Sequence, residues 1–375
     1  MTLPAFLYAW GSRAALLLAL ALAGAAPAGA ADAPLIGAYL WGGQLDRGQG
    51  LERFHASVDF LMKQGFHAIR IPMTENSLDE IGIDRTRCGA GADTACFLRQ
   101  ALDSPAFDAP GLRLLMITLH ESASKGVLAD GLTPERRQAI TAELTGVLET
   151  LQHRFAGRSV EIVLSNWEGD NQVYCGSVVR YARQPAFTAS CDTPTGDGLD
   201  RRLAHFVDWM QLRDAVVQTF RAAHPGFDVE HAPEFNLAYL GPRNCKTRCD
   251  VSRTVFAALA RAGKRPLCSF SSYNSTNRGA LQDDLPRLLA TCDRVILGEL
   301  GFAPARQGPE RVRQGFAKAA AAAAAFPGKV PAMVIWNAFD QPGRTREDSF
   351  GLYREDGTPG NVVNLPAGMA PGAAP

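Results

Sequence analysis

Two stretches decide the fold that this sequence predicts: VEIVLSNWEGDN (residues 160–171) and RVILGELGF (residues 294–302). In each, a short run of β-branched and aliphatic residues leads to a glutamate, Glu168 in the first and Glu299 in the second. Continuous apolar runs of this length are typical of parallel strands that other elements cover on both faces. We therefore expect each glutamate at the end of a buried strand, where side chains first meet solvent.

Eight such runs occur along the chain, and helical patterns separate them. The predicted strands span residues 35–41, 66–72, 112–120, 160–166, 227–233, 267–273, 295–300 and 332–337. The clearest helix begins at Thr133 and Pro134, because an N-cap followed by proline in the first turn is a typical helix start. Eight alternating strand and helix units predict the α/β class and a (β/α)8 TIM barrel, one domain over residues 31–365 with loop insertions.

An open, doubly wound sheet is the alternative fold for an alternating pattern of this kind. Such a sheet normally carries a glycine-rich phosphate-binding turn after its first strand. Gly42 and Gly43 follow the first predicted strand here, but LWGGQLD lacks the spacing of that turn. The barrel is therefore the favoured fold.

Both ends of the chain differ in composition from the predicted barrel. Residues 1–30 carry one charge, Arg13, then an Ala/Leu-rich stretch that ends in Ala28-Gly29-Ala30, a small-x-small cleavage pattern. They predict a signal peptide and a secreted or periplasmic protein with no membrane attachment after cleavage; a retained membrane anchor is the alternative. Residues 366–375 are small and proline-rich, and we expect a disordered tail.

Charge excludes several classes of partner. Without Arg13 the chain has 37 basic and 38 acidic residues, which gives no electrostatic footprint for nucleic acid or an anionic membrane. A metal site formed by His120, Glu121 and His231 is conceivable at a barrel rim, but their spacing matches no specific ligand motif. The sequence therefore predicts a neutral substrate and neither a metal nor another cofactor.

The eight cysteines follow the predicted signal peptide and fall into neighbouring pairs. An even count in an exported chain usually means disulfides. The simplest connectivity is Cys88–Cys96, Cys175–Cys191, Cys245–Cys249 and Cys268–Cys292. Zinc is the alternative for Cys245 and Cys249, but no CxxC motif or partnering histidine cluster accompanies them.

The ends of the predicted strands carry a set of polar and aromatic side chains. In a barrel these ends meet at one rim, so Glu168 and Glu299 would face each other. Two facing carboxylates are the minimum equipment for cleaving a glycosidic bond. Three tryptophans, Trp41, Trp167 and Trp336, also lie at strand ends, and flat aromatic faces stack on sugar rings; the plain alternative is that they seal the core.

Four short motifs resemble clan A glycoside hydrolases, most nearly the cellulase-like family five. GFHAIRIPM (residues 65–73) is similar to that family's strand-two signature, and MITLHE (residues 116–121) to its strand-three segment. GELGF (residues 298–302) resembles its strand-seven motif, and IWNAFD (residues 335–340) its strand-eight segment. The motifs occur in the family's order along the predicted barrel.

The resemblance implies a role for each matching residue. Glu299 would be the nucleophile and Glu168 the general acid/base. Arg70 would orient Glu299 and keep it ionised, and Tyr273 would donate a hydrogen bond to it.

The same resemblance implies substrate contacts. His120 would contact the sugar in the first subsite, and Asn166 would bind the sugar's 2-hydroxyl. Trp336 would stack on a sugar ring, and Trp41, at the end of strand one, would join it at the rim.

The chain departs from the family pattern in two places. The family has adjacent asparagine and glutamate at strand four, whereas Trp167 separates Asn166 from Glu168 here. A regular strand would place Asn166 and Glu168 on one side, and a bulge could restore the family arrangement. At strand six, Ser271 replaces the family's histidine two residues before the tyrosine.

These observations predict an exported retaining glycoside hydrolase that acts on a β-linked oligo- or polysaccharide of glucan or mannan type, and a monomer is favoured. Two alternatives stay open. The changes at strands four and six are compatible with a carbohydrate-binding barrel that has lost catalysis. A transglycosylase would use the same residues, with a sugar as acceptor in place of water.

Overall fold

The computed structural model describes residues 33–89, 93–191, 198–237, 251–260, 264–341, 343 and 349–372. Within them lies one sheet whose paired strands are all parallel, in the order β5-β4-β3-β2-β1-β9-β8-β7-β6. The strands are β1 Leu35–Tyr39, β2 Ala68–Met73, β3 Leu114–Leu119, β4 Glu161–Ser165, β5 Val229–His231, β6 Glu234–Phe235, β7 Leu267–Ser271, β8 Arg294–Leu300 and β9 Ala332–Ile335.

The sheet closes on itself through its two end strands, β5 and β6, which are consecutive in the chain. The amide of Ala232 still donates to Leu164 O of β4 at 2.9 Å, whereas Pro233 O accepts from the amide of Ser269 of β7 at 3.0 Å. The change of partner thus falls at Pro233, which has no N–H to contribute to a ladder. The strand predicted over residues 227–233 is confirmed for Val229–His231, and a second short strand, Glu234–Phe235, follows it. The predicted (β/α)8 barrel is confirmed.

Helices flank the strands. Their bounds are Gly50–Lys63, Thr94–Leu102, Val127–Asp130, Pro134–Phe155, Gly169–Val173, Val178–Arg183, Pro185–Cys191, Gly198–Ala223, Val251–Leu259, Tyr273–Asn277, Leu281–Leu289, Pro304–Gln307 and Pro309–Ala324. Short 3₁₀ turns occupy Arg85–Cys88, Pro105–Asp108, Ser122–Ser124, Asn361–Asn364 and Ala367–Met369. The helix start predicted at Thr133 is confirmed, since its side chain accepts a hydrogen bond from the amide of Arg136.

Alternation along the strands separates two apolar clusters. One, which includes Leu114 and Met116, fills the barrel interior, and the other, which includes Leu115 and Ile117, packs against the helices. On β2, Ala68 belongs to the interior cluster. Because side chains alternate, Arg70 also points into the barrel, and its guanidinium reaches the region where β7 and β8 end.

Three of the four expected disulfides are confirmed: Cys88–Cys96, Cys175–Cys191 and Cys268–Cys292. The last joins the second residue of β7 to the residue two before β8. Cys245 and Cys249 lie outside the described residues.

The ends of the chain also bear on the predictions. The prediction of a disordered C-terminal tail was wrong for residues 366–372, because Met369 is buried and the amide of Gly372 donates to Gly65 O at 3.0 Å. Residues 1–32, which include the predicted signal peptide, lie outside the described part of the chain. Among the helices that are described, none is both long and apolar enough to cross a bilayer.

Candidate active site

Glu168 and Glu299 converge at the mouth of the barrel, where β4 and β8 end. Both are buried, with 8% and 4% of their surface exposed. The hydroxyl of Ser271, at the end of β7, contacts both: it lies 2.8 Å from Glu168 Oε1 and 3.5 Å from Glu299 Oε2. The structure thus brings together the two carboxylates that the sequence placed on separate strands.

A glycine beside Glu299 permits this crowding. A Cβ atom on Gly298 would lie 2.2 Å from both Glu234 Oε2 and Ser269 Oγ, closer than atoms can approach. The register between β7 and β8 also shifts between Ser269 and Ser271. The glycine of the GELGF motif therefore makes room for a third carboxylate, Glu234, under the first two.

Arg70 is fully buried and forms a bidentate ion pair with Glu234, not with Glu299. Its Nη1 lies 2.6 Å from Glu234 Oε2 and its Nη2 lies 2.8 Å from Glu234 Oε1. Nη1 is 3.4 Å from Glu299 Oε1. Further hydrogen bonds run from Nε to Thr118 Oγ1 and from Nη1 to Gly298 O, both at 2.8 Å. The main partner of Arg70 is therefore Glu234, to which the sequence analysis gave no role, and the predicted partner Glu299 is farther away.

The pairing of Arg70 with Glu234 affects the ionisation of Glu299. Burial is the largest influence and raises the pKa of Glu299 well above its usual value, and the charge of Glu234 raises it further. Arg70 and a hydrogen bond from Tyr273 oppose the rise without cancelling it. Arg70 therefore acts on Glu299 in the predicted direction, but its bidentate pairing with Glu234 opposes that effect, and the role of Arg70 in keeping Glu299 ionised stays a prediction.

Glu168 is also shifted. Burial raises the pKa of Glu168 to about 7, and a hydrogen bond from Ser271 opposes that rise. Carboxyl groups this close titrate as a pair, so their protons come off in steps that belong to both. Burial favours the protonated form of both members of the pair.

Two amides hold the other oxygen of Glu168. Asn171 Nδ2 donates to Glu168 Oε2, and Asn236 Nδ2 donates to the same atom at 3.2 Å. Asp170 accepts from the backbone amides of both asparagines, at 3.0 Å from Asn171 N and 3.2 Å from Asn236 N. Sequence reasoning missed all three residues, although Asp170 and Asn171 belong to the NWEGDN segment that it singled out.

Asn166 makes contacts other than the predicted one. Its Oδ1 accepts from the amide of Glu234 at 2.9 Å, and its Nδ2 donates to Glu234 O at 3.1 Å. The side chain is fully buried. Here β4 has ended at Ser165, and the backbone of Glu168 has left the extended conformation (φ 15°, ψ 81°), so Asn166 and Glu168 do not act as alternate residues of one strand. A contact between Asn166 and a sugar hydroxyl stays a prediction that would require these bonds to break.

Aromatic rings border the site on the side of β1 and β9. Trp41 and Trp336 are half-buried, and their ring centroids are 6.1 Å apart. Tyr39 packs edge-on against both, at 5.7 and 5.2 Å. The carbonyl of Trp41 accepts hydrogen bonds from Asn337 and Gln341. The two tryptophans are therefore held together by the rim and leave part of their rings exposed.

His120 lies beside the end of β4. The amide of Trp167 donates to its Nε2 at 3.4 Å. Burial, followed by the charge of Arg213, lowers the pKa of His120 to about 3, so the ring is neutral at physiological pH. Since Nε2 accepts, the single proton of the neutral ring belongs on Nδ1.

The neighbours of His120 do not assemble into a metal site. Glu121 faces the helix Gly198–Ala223, where it lies 3.1 Å from Arg213 Nε and accepts from Trp209 Nε1 at 3.1 Å. His231 is buried among the outward-facing residues of β5. In the part of the chain that the structure describes, no three histidine, cysteine, aspartate or glutamate side chains are placed to hold a metal.

Solved glycoside hydrolases share this architecture. A GH5_18 protein from Streptomyces cattleya, solved with GlcNAc, is 17% identical with a TM-score of 0.56, over 92% of this chain and 80% of that protein. A GH5_18 protein from Bifidobacterium longum subsp. infantis is 14% identical with a TM-score of 0.53, over 91% and 78%. The psychrophilic beta-glucosidase BglU from Micrococcus antarcticus is 13% identical with a TM-score of 0.52, over 85% and 92%.

At these identities the likeness is one of fold, and it agrees with the family-five type of barrel that the motifs indicated. No protein-family model matches the chain, and no curated protein matches its sequence.

Proposed function

We propose that this protein is a retaining glycoside hydrolase in which Glu299 is the nucleophile and Glu168 is the general acid/base. One observation carries the proposal: both carboxylates contact the hydroxyl of Ser271. Their contacting oxygens are therefore no farther apart than the sum of those two distances, about 6.3 Å. Carboxyl groups about 5 to 5.5 Å apart are typical of retaining enzymes, whereas inverting enzymes need about 6.5 to 9.5 Å to admit a water.

The reaction then has two steps. Glu299 attacks the anomeric carbon as Glu168 gives its proton to the leaving oxygen, so that the glycosidic bond breaks and a glycosyl ester forms. Arg70 Nη1 lies 3.4 Å from Glu299 Oε1, and its charge favours the ionised form of Glu299 that the attack requires. Glu168, now ionised, removes a proton from water, which attacks the ester and releases the sugar with its original configuration.

The raised pKa of Glu168 supports this role. A general acid must hold its proton near neutral pH, and burial supplies that condition. Once Glu299 is esterified its negative charge disappears, so the pKa of Glu168 falls and the carboxylate becomes available as a base. The half-buried, neutral His120 would serve as a hydrogen-bond donor to the sugar through Nδ1.

We place the substrate among β-linked oligo- or polysaccharides of glucan or mannan type. The half-buried rings of Trp41 and Trp336 offer apolar faces beside the carboxylates, and such faces suit the C–H side of a pyranose. A variant of the Streptomyces cattleya GH5_18 protein was solved with Manβ1-4GlcNAc, which makes β-mannosides the first compounds to test. Three disulfides support export and cleavage of residues 1–30.

A fluorinated glycoside that traps the glycosyl-enzyme tests the proposal. Incubation with 2-deoxy-2-fluoro-β-glucosyl and 2-deoxy-2-fluoro-β-mannosyl fluorides, followed by peptide mapping, should place the label on Glu299. A label on another carboxylate would reject this nucleophile. Binding of oligosaccharides with neither labelling nor cleavage of any β-glucan or mannan would instead identify a carbohydrate-binding barrel.

A further inference from the structure

Ser271 stands in an unusual position, because a single hydroxyl faces two buried carboxylates. A hydroxyl has one proton and can donate one hydrogen bond, although it can accept others. If Glu168 and Glu299 were both ionised, Ser271 could satisfy only one, and its lone pairs would face the other carboxylate. Both contacts are favourable only when one of the two carboxyls carries a proton and donates it to the hydroxyl.

The donors around Glu168 decide where its proton can lie. Oε2 receives the amide groups of Asn171 and Asn236. The Asn171 amide is fixed in this orientation, because its Oδ1 accepts from the amide of Val178 at 3.0 Å. An oxygen that faces two N–H groups has no room for a proton of its own. A protonated Glu168 therefore carries its proton on Oε1, which faces Ser271.

We propose that Ser271 is a proton bridge that stabilises the singly protonated state of the Glu168–Glu299 pair. In one arrangement Glu168 Oε1–H donates to Ser271, and Ser271 donates to Glu299 Oε2. In the other, Glu299 Oε2–H donates to Ser271, and Ser271 donates to Glu168 Oε1. The first arrangement becomes the second when the proton on Glu168 Oε1 moves to Ser271 Oγ as the hydroxyl proton of Ser271 moves to Glu299 Oε2. The pair keeps one proton and one negative charge throughout, and no solvent is needed.

The inference rests on the proposed function for its catalytic meaning. The first arrangement is the one competent for glycosyl transfer, with an acid on Glu168 and a nucleophile on Glu299. After Glu299 becomes an ester, Ser271 is free to donate to ionised Glu168 and supports it as a base. Ser271 is therefore a positioning residue whose hydroxyl turns toward whichever carboxylate is charged.

Other charged and titratable groups surround the pair and stay in place during this exchange. They are Arg70 from β2, Glu234 from β6, Tyr39 from β1, Tyr273 after β7 and Asp170 after β4. They set the level of both pKa values. Only Ser271, among the described residues, has an atom within hydrogen-bonding distance of both carboxylates.

The pH dependence of kcat/KM tests the bridge, since it reports the titration of the free enzyme. Ser271→Ala removes the bond that favours the one-proton state over the states with two protons or none. We expect the apparent pKa of the acidic limb of the kcat/KM profile to rise and that of the basic limb to fall, each by about one unit. The bell-shaped profile would therefore become narrower. If the hydroxyl only donated to Glu168, its loss would raise the apparent pKa of the basic limb. A raised pKa on that limb in Ser271→Ala would overturn the inference.

Ser272→Ala is the matched control. Ser272 is equally buried, one residue further along, and its hydroxyl bonds the backbone carbonyl of Glu299 at 3.1 Å in place of a carboxylate. We expect this variant to keep the width of the bell, even where it lowers the unfolding temperature. Equal narrowing in both variants would mean that any buried hydroxyl lost here has the same effect, and the bridge would be rejected.

A second measurement needs neither turnover nor a variant at Ser271. In the sugar-free wild type with ¹³C-labelled glutamate, assigned with Glu168→Gln and Glu299→Gln, the first proton should move both δ-carbon signals together. If one signal takes the whole of the first step, the proton is not shared. Joint movement in a protein that cleaves no glycoside would refute only the proposed function. Cleavage with an unchanged bell in Ser271→Ala would refute only the bridge.

Discussion

Two carboxylate environments lie side by side at the mouth of this barrel, and they differ in their access to positive charge. Glu234 faces the guanidinium of Arg70 through two short hydrogen bonds, and Ser269 donates to it as well. Glu168 and Glu299 share a neutral hydroxyl, and the nearest guanidinium nitrogen is 3.4 Å from Glu299 and already paired. A single cation therefore assigns three neighbouring carboxylates to different tasks, with one fixed in an ion pair and two left able to exchange a proton.

The largest effect on activity is expected when the proposed nucleophile, Glu299, is replaced. Glu299→Gln should abolish turnover by at least about 10⁴-fold, because an amide cannot form the glycosyl ester. The fold should persist, since the change removes a buried charge that has no strong partner. Steady-state rates and thermal unfolding at pH 8 measure the two effects, and an unchanged rate would exclude Glu299 from the reaction.

The second test concerns Glu168. Glu168→Ala should slow substrates with poor leaving groups by about 10²- to 10⁴-fold, because these need a proton from the acid. Activated aryl glycosides should keep most of their first step, and added azide should restore turnover by attacking the ester from the vacated space. The comparison is made with aryl glycosides of graded leaving-group pKa. Equal loss across that series would show that Glu168 is not the acid.

Glu234→Gln should have its main effect on stability. It removes the bidentate partner of the buried Arg70 guanidinium and leaves Glu299, 3.4 Å away, as its nearest carboxylate, and breaking a buried ion pair of this kind costs about 3 to 5 kcal/mol. Glu299→Gln is the matched variant, because it has the same chemistry a few ångströms away and lacks that penalty. Denaturant unfolding of the two variants would sharpen the contrast, and equal losses of unfolding free energy would contradict it.

The same substitution should also change the titration of Glu299. Without the charge of Glu234, Arg70 is free to favour the ionised form, so the pKa of Glu299 falls. The acidic limb of the rate profile should then move to lower pH in Glu234→Gln. A shift to higher pH would mean that Arg70 does not act on Glu299.

A fall in stability as the pH rises is also expected. Burial raises the pKa of Glu168 to about 7 and that of Asp170 to about 8, from 4.5 and 3.8 in unfolded chains. Between these limits the folded state binds more protons than the unfolded state, so unfolding free energy is full below about pH 4 and declines toward pH 8 from these groups. Asp170→Asn should flatten part of the decline, measured as the unfolding temperature at pH 5 and pH 8. A wild-type stability that rises across this window would contradict the shifts.

The barrel fold and the proximity of Glu168 to Glu299 could be predicted from the sequence, because both depend on patterns along the chain. Apolar runs mark strands, and parallel strands bring their last residues to one rim. The pairing of Arg70 with Glu234 could not be predicted in this way. Arg70 lies on β2 and Glu234 on β6, which are not neighbours in the sheet, and their side chains meet only inside the barrel. The requirement that a buried guanidinium have a carboxylate partner would have suggested it.

The local geometry after β4 was beyond reach for another reason. Whether residues 166–168 continue the strand or leave it depends on the contacts of the Asn166 side chain with the backbone of Glu234 beside it. A single-sequence pattern contains no information on such a contact. The fate of the last residues was missed as well, because the burial of Met369 is decided by the surface it meets rather than by the small residues around it.

The point where β5 gives way to β6 has a meaning for anyone who would transplant this site. On one side of Glu234, Pro233 has no N–H to offer, and Asn166 supplies an acceptor and a donor to the backbone of Glu234 as a neighbouring peptide group would. One side-chain amide thus completes the wall of the barrel and sets the height of the carboxylate that engages Arg70. A graft of Glu168 and Glu299 onto another scaffold would have to bring this peptide mimic with it, because the charge pattern of the rim depends on where that wall is closed.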